Sequence, residues 1–515
     1  MDHRSHTSPL LLEKAADRAA VFFSQYRLPF LSSFFFGLLA YGFAITNKLV
    51  NHDEVYTLFF KGATVDSGRW GLSILDHFFP NYSMPWIYGL FTIFFVSVGI
   101  CTLVSMFSIR NRLLEGILSG CVMVFPSLIG LFGYMFTSCC FALSFLLAIL
   151  SAALLEKDSK RYLLPAFFCL VFSLSIYQSY VSVAAGLLVL VLIQRLLTGS
   201  SPVSVLKQGI FYVGFLITSM VAYYLCTQAV FRITGTNFGE YASGYFVFSP
   251  ASILRGALIA YRNFVRFFTE GFCGLIPTAL SRLLHTVLLV AGGILLLSLC
   301  RLRKYPAGSI LLLVLLLTVL PLAINCMYMI TAEESVHTLV LYGFISFYLC
   351  ILILAEQLLE DDALQPAGGL LLNLVTGILS LVIVINTYIS NQAFLNLYLR
   401  YENAYAFYTT LAADLKMQPE FTEDAVLALA GTYQQPDYYE KQFADVHSIT
   451  GVNGFLPDDY SKKRFLEYYL GFPVPFASSA QVAEIQSQPE FQEMPVYPYY
   501  GSIRSFGDVL VVKLS

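Results

Sequence analysis

The chain has 515 residues, of which 57% are hydrophobic and only 12% are Asp, Glu, Lys or Arg. A water-soluble fold carries roughly twice that charged fraction, so composition excludes an ordinary soluble domain. The net charge of −3 is divided unevenly. Residues 1–390 hold 22 basic and 18 acidic residues, whereas residues 391–515 hold 8 and 15, which predicts an acidic, water-soluble tail.

Long apolar runs recur along residues 28–390, after a polar segment at 1–27. A helix of about 20 apolar residues crosses a bilayer, so we expect about eleven spans. In chain order they are a first at 28–50, a second from 86 to just before 110, a third and fourth joined near 134–138, a fifth and sixth joined at 177–180, a seventh ending near 230, and four more at 284–299, 307–326, 338–359 and 368–390. In the tail we expect a helix at 391–417 and strands at 426–430 and 509–514, typical of a small α/β domain.

The short loops give the orientation. With eleven spans the basic clusters fall on one side, which the positive-inside rule assigns to the cytoplasm. These clusters are Arg110/Arg112, Lys157/Lys160/Arg161, Arg195/Lys207 and Arg301/Arg303/Lys304. The N-terminus is then cytoplasmic, and outer loops 51–85 and 231–283 and the tail 391–515 are extracytoplasmic. No inner loop could hold a nucleotide, and no Walker motif or strand-associated G-x-G-x-x-G is present.

The loop after the first span contains the most informative polar residues. Asp53 and Glu54 are adjacent carboxylates at the outer lipid boundary, where one could act as a general base. A solvated helix end is the alternative. Arg69 lies between glycines and carries a planar fork of donors suited to phosphate, although Arg69-Trp70 could also be an interfacial anchor. His52 beside Asp53 suggests a metal ligand, but no supporting spacing accompanies it.

Two further segments could contribute to a site. Arg255, Arg262 and Arg266 fall within about 40° of each other on a helix, which predicts an interfacial helix with a basic stripe. This stripe could bind a lipid phosphate or simply attract anionic head groups. At the 177–180 hairpin, Tyr177, Gln178 and Tyr180 could bind sugar hydroxyls by hydrogen bonding and stacking, and Trp70 is a further candidate for binding the sugar or the acceptor. An aromatic belt explains the tyrosines equally well.

The sequence resembles the bacterial type II serotype-conversion glucosyltransferase family. The resemblance rests on Asp53-Glu54 after the first span, Gly68-Arg69-Trp70 in the same loop, Tyr177-Gln178 at an outer hairpin, and the C-terminal segments 494–498, 501–503 and 511–514. The family's acidic pair is usually two Asp, and the second is Glu54 here. Either carboxylate therefore stays a candidate for the catalytic one.

The resemblance implies an all-α, GT-C-like polytopic membrane domain with a small extracytoplasmic α/β domain. It implies an enzyme that moves a hexose, glucose by the family, from a polyprenyl-phosphate donor to a cell-surface polysaccharide or glycolipid. The implied partners are this donor, that acceptor and membrane lipids, with no nucleic acid. No cofactor is certain, and a divalent metal stays open. The implied roles are base for Asp53 or Glu54, donor phosphate binding for the four arginines, and sugar binding for the aromatic and amide residues.

Three other functions compete with this interpretation. A transporter or flippase of a lipid-linked sugar would place ionisable groups at mid-membrane and show repeated halves. Here Asp and Glu avoid the span centres and no repeat is evident, which favours an enzyme. A surface-glycan polymerase or ligase would also use outer polar residues and stays open. A membrane anchor for the tail would not require so many spans.

Overall fold

The computed structural model describes residues 11–515 apart from 59–64, 81, 158, 240–248, 331–336, 361–365, 423, 432, 434–440, 453–455 and 457–458. The protein is a bundle of membrane-spanning helices with a small α/β domain at its C-terminal end. The helices are α1 (Leu11–Gln25), α2 (Arg27–Thr46), α3 (His52–Thr57), α4 (Trp70–Leu75), α5 (Pro85–Met106), α6 (Arg112–Met123), α7 (Pro126–Gly133), α8 (Met135–Glu156), α9 (Lys160–Ile176), α10 (Val181–Leu197), α11 (Pro202–Thr234), α12 (Pro250–Thr269), α13 (Ala279–Arg303), α14 (Ala307–Ile324), α15 (Ile345–Leu359), α16 (Pro366–Lys416), α17 (Asp459–Tyr469), α18 (Ser479–Gln486) and α19 (Pro489–Gln492).

The number of spans differs from the predicted eleven. Within the ranges just given, nine helices are long and apolar enough to cross a membrane, or ten if the bent pair α6–α7 is one span. The bend is 44° and lies at Phe125, because Pro126 cannot donate the backbone hydrogen bond that would continue α6. The remaining expected span is α9, which has 17 residues and stands at the lower limit for crossing.

The basic loops share one end of the bundle. The buried Glu356 carboxylate accepts hydrogen bonds from the backbone N–H groups of Arg110 (3.1 Å) and Asn111 (3.3 Å). Arg303 donates to the Gln357 side chain (2.7 Å) and to the Leu197 carbonyl (3.0 Å). These contacts tie the start of α6, the end of α10, the end of α13 and the end of α15 together.

The opposite end joins loop 51–85 to the C-terminal domain. Asn51 Nδ2 donates to the Gly133 carbonyl (2.5 Å) at the end of α7. The Thr338 hydroxyl accepts from the Thr450 backbone N–H (3.0 Å). Gly133 lies so close to Gly451 that a Cβ there would be 2.9 Å from the Gly451 backbone. The first loop, the α7–α8 hairpin and the tail therefore form one continuous surface.

Helix α16 connects the two parts. Its 51 residues correspond to about 76 Å of uninterrupted helix, so it crosses the expected domain boundary at residue 390 without a break. The predicted helix at 391–417 is thus the second half of this element. Beyond it, β1 (Val426–Ala430), β2 (Ile503–Phe506) and β3 (Val509–Lys513) form a sheet of order β1-β3-β2, parallel between β1 and β3 and antiparallel between β3 and β2.

The two strands predicted in the tail, at 426–430 and 509–514, are confirmed, and β2 is an addition. Leu427 and Val512 of the sheet are buried against Tyr408 and Leu411 of α16. The same apolar core includes Val50, which immediately precedes the first loop, and Val55 of α3 within that loop. Burial of these two residues in the core of the tail makes the C-terminal domain a cap on the membrane domain.

Candidate functional site

The acidic pair of the first loop lies at the start of helix α3. Asn51 is fully buried and is the N-cap of α3, where its side chain accepts a hydrogen bond from the Glu54 backbone N–H (2.9 Å). Asparagine favours this position because its side chain satisfies a backbone donor that the first turn leaves unpaired. Asp53 and Glu54 therefore occupy the first turn of α3, where the helix dipole favours negative charge.

The two carboxylates have very different surroundings. The Glu54 side chain is 0% exposed, and its Oε1 accepts hydrogen bonds from Lys48 Nζ and Ser83 Oγ. Its Oε2 is buried and has no hydrogen-bond partner in the part of the chain that the structure describes. The Asp53 side chain is 43% exposed, and its Oδ1 lies 3.3 Å from His52 Nε2. The Asp53 carboxylate is therefore accessible to a substrate, whereas the Glu54 carboxylate is buried and held by its hydrogen bonds.

Gln178 supports the turn that presents Arg69. The Gln178 side chain is buried and donates from Nε2 to the Ser67 carbonyl and to the Tyr223 hydroxyl, both at 2.9 Å. Tyr223 in turn donates to the Gly68 carbonyl (3.0 Å). Gly68 has φ +75°, a conformation that L side chains rarely adopt. The hairpin at 177–180 therefore contacts the first loop.

Arg69 extends from this turn and packs against two aromatic rings. Its guanidinium carbon lies 5.3 Å from the centre of the Tyr177 ring and 5.9 Å from that of Phe141. Its Nε is buried and has no hydrogen-bond partner among the residues described. A guanidinium that stacks on aromatic rings keeps its donors available for an anion. The next residue, Trp70, is partly buried and donates from Nε1 to the Thr227 hydroxyl (3.2 Å).

The remaining hairpin tyrosines are packing residues in this structure. Tyr177 stacks on Phe141 with ring centres 4.6 Å apart. Tyr180 is buried and contacts the rings of Tyr177 (5.3 Å) and Tyr342 (6.1 Å). Tyr177 thus packs against Arg69 and Tyr180 packs behind Tyr177, and their predicted binding of sugar hydroxyls stays a prediction.

The three arginines of the α12 stripe differ in exposure. Arg255 and Arg262 are exposed, and Arg266 is partly exposed and forms an ion pair with Glu270 (2.7 Å). One face of α12 is buried in the protein, and another exposes Leu254 and Leu258. An exposed apolar face beside exposed arginines is typical of a helix in the lipid interface.

Two residues near the ends of loop 51–85 have roles that sequence patterns did not indicate. Lys48, just before the loop, and Ser83, near its end, both donate hydrogen bonds to Glu54. Within the ranges described, no group of three or more His, Cys, Asp or Glu side chains could hold a metal ion. His52, the residue considered as a ligand, has its ring 6.4 Å from that of Tyr134.

Helix α17 of the C-terminal domain packs on α3. Val55 of α3 is buried in the same core as Phe465 and Leu466 of α17. Tyr469, the last residue of α17, stacks on Phe465 with ring centres 5.3 Å apart. Burial raises the pKa of Tyr469 and the nearby Glu54 carboxylate raises it further, so its phenol is neutral. More than 400 residues separate Tyr469 from Glu54 in the chain, and no sequence pattern joins them.

Comparison with known proteins identifies one family. The family model described as glucosyl transferase GtrII matches residues 42–349, which is more than half of the chain. The matched residues include the acidic pair, the turn with Arg69, the 177–180 hairpin and α12, and they end before the C-terminal domain. A search of curated proteins finds no match to the chain.

Proposed function

Because the chain belongs to the glucosyl transferase GtrII family, we propose that it transfers glucose from a polyprenyl-phosphate donor to a cell-surface polysaccharide or glycolipid. The chain is a multi-pass membrane protein and a glycosyltransferase by its family. We propose in addition the donor, the acceptor, the GT-C type and the location of the reaction on the outer face. These proposals are supported by one observation, that the acidic pair and Arg69 lie at the end of the bundle opposite the basic loops.

The proposed reaction is a single displacement. Asp53 takes the proton from an acceptor hydroxyl, because it is the exposed member of the acidic pair. The hydroxyl oxygen bonds to the anomeric carbon of the sugar while the bond from that carbon to the phosphate oxygen breaks. Polyprenyl phosphate leaves with the electron pair, and the proton stays on Asp53.

Negative charge grows on the leaving phosphate, and a cation close to it stabilises the transition state. Arg69 is the proposed partner, since its Nε has no partner in the described part of the chain and its ring contacts hold it still. Arg255 and Arg262 are proposed to bind the same lipid phosphate as it approaches along the interface. Arg266 is the fourth proposed phosphate ligand, and it is paired with Glu270.

The proposed sugar-binding residues form two groups, one that contacts the sugar and one that supports the surface facing it. Trp70 is only partly buried and is proposed to contact the sugar or the acceptor. Tyr177, Gln178 and Tyr180 are buried and are proposed to support the sugar-facing surface through their contacts within the protein. Glu54 is proposed to keep α3 and therefore Asp53 in place through Lys48 and Ser83.

The donor class is tested with the purified full-length protein. Radiolabelled glucose is supplied either on polyprenyl phosphate or as a nucleotide sugar, with cell envelopes from cells lacking this protein as acceptor. We expect label to move from the polyprenyl-phosphate donor into the polysaccharide or glycolipid of the envelopes, and none from the nucleotide sugar. Transfer from the nucleotide sugar alone would refute the proposed donor.

The proposed orientation, with the N-terminus in the cytoplasm, is tested separately by cysteine labelling of intact cells. In a background with the exposed Cys226 replaced by Ser, single cysteines are placed at Tyr82, at Ser515 and, as the control, at Arg161. A membrane-impermeant maleimide should label the first two and reach the third only after permeabilisation. Labelling of Arg161→Cys alone in intact cells would reverse the orientation and exclude an outer-face reaction.

A further inference from the structure

The start of the second outer loop, 231–283, lies against the turn that carries Arg69. The Gly239 backbone N–H donates a hydrogen bond to the Asp66 carbonyl (3.0 Å). The Phe238 ring packs on Gly68, where a Cβ would lie 3.3 Å from Phe238 Cε1. The second outer loop therefore contacts the first loop through one hydrogen bond and one aromatic ring.

Helix α11 holds this part of the second loop in place. The helix ends at Gly235, whose φ of +67° turns the chain back in the left-handed conformation common at helix C-termini. The Thr236 backbone N–H donates to the Phe231 carbonyl (3.2 Å) in the last turn of α11. The buried Phe231 ring meets the Phe238 ring edge-on, with ring centres 4.8 Å apart. Phe238 is thus positioned by the end of α11.

Three groups enclose the α-carbon of Gly68. A Cβ at this position would lie 2.6 Å from the Tyr223 hydroxyl, 3.2 Å from Gln178 Nε2 and 3.3 Å from Phe238 Cε1. Tyr223 and Gln178 hold the turn by hydrogen bonds, whereas Phe238 limits its movement by packing. Gly68 directly precedes Arg69, so a shift of Gly68 moves the guanidinium.

We propose that Phe238 is a positioning residue for Arg69, and that residues 236–239 form a fixed wall of the first-loop site. Phe238 acts through Gly68 and does not itself contact the substrate. The site is then built from both outer loops. The effect on transfer rests on the proposed function of Arg69, whereas the contact between the two loops does not.

The size of the effect follows from what remains when the ring is lost. A displacement of about 1 Å at a catalytic group can lower a rate by about 100-fold. The hydrogen bonds from Gln178 and Tyr223 still hold the turn without the Phe238 ring, so a smaller displacement is expected. We therefore expect a loss of about 10-fold.

The first test uses Phe238→Leu, which removes the ring edge and keeps an apolar side chain. The matched control is Phe167→Leu, because Phe167 in the middle of α9 is also partly buried and meets the Phe215 ring of α11 edge-on (6.4 Å). With glucose on polyprenyl phosphate as the donor, kcat/KM should fall about 10-fold in Phe238→Leu and stay at the wild-type value in Phe167→Leu. Wild-type kcat/KM in Phe238→Leu, or equal losses in the two variants, would overturn the proposal.

A double-mutant cycle assigns the effect to Arg69. In an Arg69→Lys background, Phe238→Leu should lower kcat/KM much less than it does in the wild type. A purely structural role would give the same loss in both backgrounds, and that result would overturn the proposed action through Arg69.

A disulfide cross-link tests the contact without any measurement of activity. A Cβ at Gly239 would lie 3.7 Å from the Asp66 Cβ, within the range of about 3.5–4.5 Å typical of disulfides. With the exposed Cys226 replaced by Ser, purified full-length protein carrying Asp66→Cys and Gly239→Cys should cross-link on mild oxidation. The control pairs Asp66→Cys with Gly235→Cys, since a Cβ at Gly235 has no atom within 4 Å. No cross-link in the first pair, or equal cross-linking in both, would overturn the contact.

The cross-linked protein also tests whether the wall is fixed. The same preparation is assayed before and after reduction, so the substitutions affect both measurements equally. We expect the same kcat/KM in the two states. Activity that is lost on oxidation and regained on reduction would show that residues 236–239 move during each turnover, and would overturn the fixed wall. If the wild type transfers no glucose, cross-linking still supports the contact and only the proposed function fails.

Discussion

Gln178→Leu tests whether the 177–180 hairpin positions the turn that carries Arg69. The substitution keeps the side chain's size and removes two hydrogen bonds of 2.9 Å, to the Ser67 carbonyl and to the Tyr223 hydroxyl. Each is worth about 1 kcal/mol net, and a buried acceptor left without its donor adds to the cost. We therefore expect a loss of about 2–3 kcal/mol, which falls on the first loop.

The expected result has two parts. The thermal unfolding temperature of the purified protein should fall by a few degrees. A loss of about 2 kcal/mol expressed at Arg69 should also lower kcat/KM for glucose transfer about 30-fold, because Arg69 moves away from the leaving phosphate. Both quantities are measured on the same preparation with glucose on polyprenyl phosphate.

Gln194→Leu is the matched control. Gln194 also donates from a side-chain amide to a backbone carbonyl, that of Phe107 (2.9 Å), but at the end of the bundle with the basic loops. Because one hydrogen bond is removed rather than two, it should lose about half as much stability, and it should keep its kcat/KM. If Gln178→Leu and Gln194→Leu lose equal activity, the special role of the hairpin is refuted.

Three further substitutions follow from the same geometry. Arg69→Lys keeps the charge but loses the planar fork, so kcat/KM should fall at least 10-fold, and unchanged transfer would exclude a bidentate contact with phosphate. Gly133→Ala places a Cβ 2.9 Å from the Gly451 backbone and should separate the C-terminal domain from the membrane domain, which is measured as faster proteolysis. Gly116→Ala, with open space around it, should not speed proteolysis, and equal digestion of the two variants would contradict this contact. Arg262→Gln should raise KM for the lipid-linked donor about 3-fold with kcat unchanged, and a fall in kcat alone would exclude a role in donor capture.

The membrane fold was largely predictable because each span is a local feature. An apolar run of span length must be helical in lipid, and its ends are marked by polar residues, as at Thr46 and Arg112. The bend at Phe125 was not predicted, although Pro126 inside the third apolar run is a signal for one. The sequence also could not set the length of α16, because nothing at residue 390 stops a helix.

The candidate site was predictable in its residue types but not in its arrangement. The carboxylates and Arg69 were found from their place after the first span. That Glu54 is buried and Asp53 exposed depends on Lys48 and Ser83, which come from the two sides of the loop. Tyr469 could not be found from sequence, because its approach to Glu54 depends on the packing of α17 against α3.

The sequence predicts sugar contacts at the hairpin, whereas the structure shows the Gln178 amide bonded within the protein. A polar amide at a tight turn needs partners, and Gln178 has two hydrogen bonds. The partners are the backbone of the first loop and Tyr223. Direct contact of Gln178 with a sugar stays a prediction, and its burial favours a supporting role instead.

The most direct test of the account is the comparison of Asp53→Asn with Glu54→Gln in the transfer of glucose from polyprenyl phosphate. As the exposed general base, Asp53 should account for about a 100-fold or greater loss of kcat when it is replaced by Asn. Glu54→Gln keeps the hydrogen bonds from Lys48 and Ser83 and should lose about 10-fold. Wild-type transfer by Asp53→Asn, with transfer abolished in Glu54→Gln, would assign the base to Glu54 and contradict the account.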